Sequence, residues 1–369
     1  MSRIVVGLSG GVDSAVAALL LCEQGHDVTA VFMKNWDEDD EAGYCPAEQD
    51  LTDATQICQQ LNIELKTVSF SAEYWNRVFR YFLDEYQAGR TPNPDIICNR
   101  EIKFRAFLDY ARSLGAEAIA TGHYARIGND SGIRLLRAAD AAKDQTYFLH
   151  TLSRSQLQHS RFPIGHLEKT AVREIAGRAG FANHAKKDST GICFIGERKF
   201  RDFLARYLPA QPGEIRSLDD EVLGRHEGLM FYTIGQRQGL GIGGRRDAPG
   251  EPWYVAAKDL SHNILRVVQG VDHPALFSQV LSASRLHWIA GSSPANCFTA
   301  TARIRHRHRD QPCSVELSGT DACAVRFEQA QRAITPGQSV VFYDGETCLG
   351  GGVIDSASGP GITQDNTGG

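Results

Sequence analysis

The sequence contains no Cys-x-x-Cys pair, although nine cysteines are spread over its 369 residues. An odd count without paired spacing points to no disulfide framework and gives no support to a zinc or iron-sulfur site. No uninterrupted apolar run approaches the roughly 18 residues that a membrane span needs. A secretion signal is missing too, since Asp13 breaks the first apolar stretch and no small-residue cleavage site follows. The expectation is a cytoplasmic protein with no membrane partner, whose thiols are either buried filler or chemistry. Positive charge is also scarce: 39 Lys and Arg stand against 44 Asp and Glu, a net charge of -5. Nucleic acid would have to be held by a local basic face rather than by the whole surface.

What is present is an ordinary globular composition, 42% apolar and 22% charged, on a chain long enough for about two or three domains. RIVVGL, AVAALLLCEQG, DVTAVFM, DLTDATQICQQLN, IELKTVSF and the segments up to AEAIATGHYA alternate strand-like with helix-like runs. That alternation predicts an α/β domain with a doubly wound parallel sheet, whose ligands bind at the carboxyl ends of the strands. Helical spacing persists to Lys199–Leu208, closing a first domain at 1–208. From Pro209, short alternating runs with Gly and Pro predict a small β-rich domain over 209–275, and turn signals at barrel-like spacing predict a β-barrel over 276–355. The Gly- and Ser-rich tail, 356–369, is expected to be disordered. GLGIGG at Gly239–Gly244 precedes no helix and reads as a flexible loop, while DEDDE at Asp37–Glu41 reads as a solvated loop.

The informative loop is Ser9-Gly10-Gly11-Val12-Asp13-Ser14, between a β-branched run and an alanine and leucine run. A strand feeding such a loop into a helix start gathers free N-H groups and the positive end of a helix dipole at one point, which is an anion site. Glycines let the backbone approach the anion, and the serine hydroxyls can donate to phosphate oxygens. The Walker lysine is absent. A carboxylate beside phosphates implies Mg2+ between them, with Asp13 as its ligand. The plainer alternative is a helix start where Asp13 only favours the dipole.

TPNPDIICNREIKF brings Asp95 and Cys98 three residues apart behind two prolines that forbid a helix until they are passed. A thiol at a helix entry ionises more readily. Cys193, in GICFIG, is flanked by Lys186, Lys187 and Arg198, which favour thiolate as well. The alternative for each is a small buried hydrophobe, the reading kept for Cys22 and Cys58.

SGGVDS resembles the pyrophosphate loop of the PP-loop ATPases, and with VFMKNW, NPDIICN, GHYAR, KDQTYFL and GICFIGER the chain from Arg3 to about Ile354 resembles the bacterial tRNA-specific 2-thiouridylases. The resemblance implies a PP-loop domain, a small central domain and a carboxyl-terminal β-barrel. It also implies a tRNA sulfurtransferase that uses ATP and Mg2+ to adenylate the 2-oxygen of the wobble uridine in tRNAs for Lys, Glu and Gln. Sulfur then arrives as a persulfide from a cysteine desulfurase or relay protein. By the same resemblance Cys193 carries the persulfide, Cys98 attacks it, and Asp95 is the acid/base. ATP contacts fall on Gly7, Leu8, Ser9, Gly10, Gly11, Val12, Asp13, Ser14, Met33 and Gly122. The tRNA contacts fall on Asn93, Pro94 and Asp95 at the target base, and on His123, Lys143, Asp144, Gln145, Arg305, His306 and Gln338. Independently of any family, Arg303, Arg305, Arg307 and Arg309 alternate at period two, which predicts one guanidinium-bearing strand face suited to phosphates. Two other functions stay open on the residues alone: a PP-loop enzyme adenylating a small metabolite, and an RNA-binding protein with structural thiols.

Overall fold

A computed structural model describes residues 1–36, 46–130, 132–187, 200–242, 250–359 and 362–363. Cys193, Cys45 and the acidic run 37–41 lie outside the described residues.

Strand β1 (Arg3–Gly7) runs into helix α1 (Val12–Glu23), followed by β2 (Asp27–Lys34), helix α2 (Pro46–Leu61) and β3 (Glu64–Ser69). With β4 (Ala118–Ala120) and the short β7 (Ser160–Arg161) these strands form a parallel sheet in the order β3-β2-β1-β4-β7. The fold class expected from the alternation is found. In β1, Ile4, Val5 and Val6 are all buried because successive side chains point to opposite covered faces: Ile4 and Val6 meet α1, and Val5 meets Phe107 and Ile119. Strand order reverses between β1 and β4, so the loops leaving these two strands diverge and open a crevice there.

Strands β5 (Ala125–Gly128) and β6 (Arg134–Arg137) make a hairpin that leaves this sheet altogether. It pairs instead with a late strand, Thr347 opposite Leu136 and Cys348 opposite Leu135. A four-stranded sheet follows, β8 (Gly213–Arg216), β9 (Val222–His226), β10 (Trp253–Asp259) and β11 (Ile264–Gln269), in the order β10-β11-β8-β9. The last unit comprises β12 (Phe277–Trp288), β13 (Cys297–Arg303), β14 (Gln311–Ser318), β15 (Ala322–Arg332), β16 (Ser339–Asp344) and β17 (Thr347–Gly359). Pairing of β12 with both β15 and β17 closes these six antiparallel strands into a barrel.

Two expectations are corrected. Strand β17 runs to Gly359 and pairs there with β18 (Ile362–Thr363), so ordered backbone extends past 355 into the tail. In GLGIGG, Leu240 and Ile242 are buried at 6% and 8% exposure, which makes the front of that segment core rather than free loop.

The central sheet is latched to the first domain by Lys258, whose ammonium donates to the Gly89 carbonyl at 2.9 Å. Burial pushes this lysine from 10.5 down to about 7. The unfolded chain therefore holds a proton between those values that the folded chain has lost, so stability rises with pH across that window. Relative to Lys258→Met, the wild type is expected to gain stability steadily from pH 7 to pH 10.5 in urea unfolding, with a constant difference below pH 7.

Candidate active site

The loop after β1 lies at the switch point of the sheet. Gly11 caps α1 in extended backbone without any side-chain hydrogen bond to the helix, so among the described residues the first-turn amides have neither a side-chain cap nor an intrahelical acceptor. Ser14 folds back to bind the loop instead: its hydroxyl donates to the Gly11 carbonyl at 3.0 Å and accepts from the Ser9 amide at 3.2 Å. Gly10 has φ +72°, and a side chain there would strike the Asp50 backbone. Its carbonyl accepts from Asn183 Nδ2 at 2.9 Å. Gly122, on the loop after β4, is packed so closely that a Cβ would lie 2.6 Å from the Ser14 amide nitrogen. The glycine thus keeps one side of the uncapped helix end clear. Gly7 is in the same position against Met33, where a Cβ would come within 3.1 Å of the methionine Cε. The structure therefore gathers the expected nucleotide residues around one crevice. Leu8 and Val12 are buried at 1% and 3%, so they contribute backbone and packing to it.

Asp13 is differently placed from the bare carboxylate inferred from the loop. Both its oxygens accept from Lys169 Nζ at 2.8 Å, and Oδ1 also accepts from the Tyr124 hydroxyl at 2.8 Å. Lys169 and Tyr124 were not singled out from the sequence. Lys169 lies 156 positions from Asp13 with no local motif to mark it, whereas Tyr124 stands inside the GHYAR segment.

The segment carrying Asp95 and Cys98 is fixed from several sides. The Asn93 side chain accepts from the Asp95 amide at 3.1 Å and Pro94 opens the helix Pro94–Cys98, a start suited to both residue types. Gln338 Nε2 donates to the Thr91 carbonyl at 2.7 Å, and the Thr91 amide donates to the Pro336 carbonyl at 3.0 Å. Asp95 and Cys98 fall one turn apart on one helix face. Cys98 is 1% exposed within the core that also holds Val5, Ile102 and Phe203.

The remaining residues expected at tRNA mostly fasten parts of the protein to each other. Gln145 Oε1 accepts from the Tyr124 amide at 2.9 Å, and the Gln145 amide returns a bond to the Tyr124 carbonyl at 2.9 Å. Lys143 is half-buried on a turn held by Asp140. Asp144 is only 2% exposed and cannot offer its carboxylate to RNA in this arrangement. Its oxygens accept from Arg303 at 3.0 Å, Arg137 at 3.4 Å, the Ala138 amide and Thr146. His306 Nε2 lies 3.1 Å from the Asp144 carbonyl and its ring packs on Phe148. Burial and the nearby Lys103 charge hold His123 well below its usual pKa, so the ring is neutral at pH 7. It is paired through Nδ1 with Thr121 at 2.8 Å and packed on Phe104.

The arginine face is not formed. Strand β13 ends at Arg303 and residues 304–308 turn, which destroys the period-two geometry. Arg303 is paired with Asp144 and Asp310, and Arg305 donates to the Ile234 and Ala333 carbonyls and to Thr335, leaving Arg307 and Arg309 as the exposed members. Lys186, expected beside Cys193, donates to Asp50 at 2.8 Å and Asp53 at 2.6 Å. Cys58 is buried and its thiol pushed up to about 11, as filler should be.

Three family models match in chain order: "tRNA methyl transferase HUP domain" over residues 2–197, "tRNA methyl transferase PRC-barrel domain" over 201–269 and "Aminomethyltransferase beta-barrel domain" over 278–354. The tRNA-specific 2-thiouridylase MnmA of Methylococcus capsulatus is 61% identical over 356 residues, 96% of each chain. That of Francisella philomiragia is 58% identical, covering 96% of this chain and 99% of its own. Among solved structures, the U34-tRNA thiolase NcsA from Methanococcus maripaludis aligns at a TM-score of 0.35 and 20% identity, over 56% of this chain and 63% of that one. Identity at this level across nearly the whole length of both chains leaves one conclusion: the chain belongs to the tRNA-specific 2-thiouridylase family.

Proposed function

We propose that the chain is a cytoplasmic ATP-dependent sulfurtransferase that makes 2-thiouridine at the wobble position of tRNAs for Lys, Glu and Gln. The observation that carries this reading is the uncapped first turn of α1 at the sheet's switch point, in a chain whose relatives bear that name. No helix among the described residues is long and apolar enough to cross a membrane.

A uridine carbonyl oxygen is a poor leaving group, so it must first be activated. The 2-oxygen attacks the α-phosphorus of ATP and pyrophosphate leaves from the α1 end of the crevice. The loop from Gly10 to Ser14 presents backbone amides to the phosphates with Ser9 bracing it through Ser14, while Gly7, Leu8, Met33 and Gly122 shape the crevice. A single carboxylate fits a magnesium ion that keeps waters and phosphate oxygens as its other ligands; Asp13 would hold it, and the ion would neutralise phosphate charge. The terminal sulfur of a persulfide on Cys193, loaded by a cysteine desulfurase or relay protein, attacks the ring carbon and expels AMP. Cys98 thiolate then attacks the Cys193 sulfur, freeing 2-thiouridine and leaving a Cys98–Cys193 disulfide for a dithiol to reduce. Asp95 acts as the acid/base on the same helix face as Cys98. Asn93 and Pro94 set the backbone at the target base. His123, Lys143, Gln145, Arg305, His306 and Gln338 make the surface that receives the tRNA, with Asp144 buttressing it from within.

The test is to incubate protein, ATP, Mg2+, a persulfide donor and unmodified tRNA, then digest the tRNA and analyse the nucleosides by mass. 2-Thiouridine dependent on both ATP and protein is expected. Its absence with a donor shown to be competent would overturn the proposal.

A further inference from the structure

The loop Ser9–Ser14 lacks a lysine of its own, yet the fold delivers one to it from the far side of the crevice. Lys169 opens the helix Lys169–Arg178, and its position there is set by Asp140, whose carboxylate accepts from the Lys169 amide at 3.0 Å. The same Asp140 accepts from the Ala142 and Lys143 amides. The side chain is 10% exposed, and its ammonium sits 2.8 Å from each Asp13 oxygen and 5.8 Å from the Tyr124 ring centroid. Asp13 is the second residue of α1, so this ammonium stands beside the uncapped amides where phosphates are proposed to bind.

We infer that Lys169 is a phosphate ligand of the nucleotide site, held by Asp13 when no nucleotide is bound and bonding phosphate oxygens when ATP is present. The inference rests on the ATP reading above. A lysine ammonium is a compact charge with three donors on a flexible stem, able to exchange a carboxylate for a nearby phosphate. Asp13 released in this way becomes available to a cation brought by the nucleotide, which resolves why one carboxylate is both salt-bridged and placed beside anions. In the adenylation step the uridine O2 to α-phosphorus bond forms, the bond from that phosphorus to the β-phosphate bridge breaks, and its electron pair leaves on pyrophosphate. The ring N3 proton passes to Asp95, the base of the proposed reaction. Lys169 neutralises charge on the departing group through its N-H donors.

The experiment compares binding of a non-hydrolysable ATP analogue, inorganic pyrophosphate and adenosine to wild type and Lys169→Met by calorimetry. A lost charge-assisted bond predicts that the analogue and pyrophosphate each weaken by about tenfold or more, with adenosine unchanged. Equal affinity for pyrophosphate in both proteins would overturn the inference. So would a matching loss for adenosine, which would make Lys169 a structural support. If the wild type binds neither the analogue nor pyrophosphate, the ATP reading itself falls and takes the inference with it. Should Lys169→Met fail to fold, Lys169→Arg and Lys169→Gln decide the matter: the arginine is expected to keep pyrophosphate binding and the glutamine to lose it, and equal affinities would refute the assignment.

Discussion

Cys98→Ser is expected to lower 2-thiouridine formation by on the order of a thousandfold or more while leaving binding of the ATP analogue unchanged. The substitution is nearly isosteric, and the helix around it is fixed independently by the Asn93 cap, by Pro94 and by the Gln338 bond to Thr91. Geometry should survive. What is lost is the sulfur chemistry, because a serine hydroxyl neither ionises near neutral pH nor displaces a thiolate from a disulfide-like sulfur. Burial at 1% also shields the thiol from stray oxidants, so in the proposed reaction Cys98 attacks only once the partner sulfur has arrived. Single-turnover thiolation with a protein persulfide donor is the measurement. Activity within tenfold of wild type would remove Cys98 from the reaction.

Asp144→Ala is expected to be the most damaging substitution for stability, costing about 3–5 kcal/mol. One carboxylate neutralises Arg137 on the hairpin and Arg303 at the end of β13, and it satisfies the Ala138 amide and the Thr146 hydroxyl. Both arginine side chains are 13% exposed. Removing the carboxylate leaves Asp310 to serve both cations, orphans the buried Ala138 amide and leaves the Thr146 hydroxyl with the Tyr343 hydroxyl at 3.3 Å. Arg137 also stacks on Tyr343 at 3.6 Å, so the damage spreads along the barrel wall. Urea unfolding of the variant gives the figure directly, and a loss below about 1 kcal/mol would mean the cluster contributes little. Asp144→Asn keeps part of the hydrogen bonding and should fall between the two.

The parallel sheet was legible because β1 and β2 carry near-continuous apolar runs rich in β-branched residues and α1 is built of small and apolar ones, so period and composition agree. The PP-loop was legible for the same local reason: its glycines and serines stand within six residues of each other. Long-range pairings left no such trace. Nothing in ARIG or RLLR says that their partner is Thr347 and Cys348 rather than the strand before them. Lys169 is likewise an ordinary lysine at a helix start until tertiary structure brings it to Asp13. The arginine run misled because period two was carried past the point where the strand stops. A strand face exists only while the backbone stays extended, and Ile304 to His308 fold back instead. Asn93, Gln338 and Arg305 also bond to this protein's own backbone, and those bonds leave no mark in the spacing of the sequence.

The hairpin Ala125–Arg137 has a consequence for anyone dividing this molecule. Since it is encoded early yet annealed to the β-barrel's closing strand, cutting the gene between the sheets would leave one fragment with a protruding ribbon and the other with a raw edge. The two pieces would have to meet in the same cell to mend each other, and neither alone would be a clean module for fusion or transplantation.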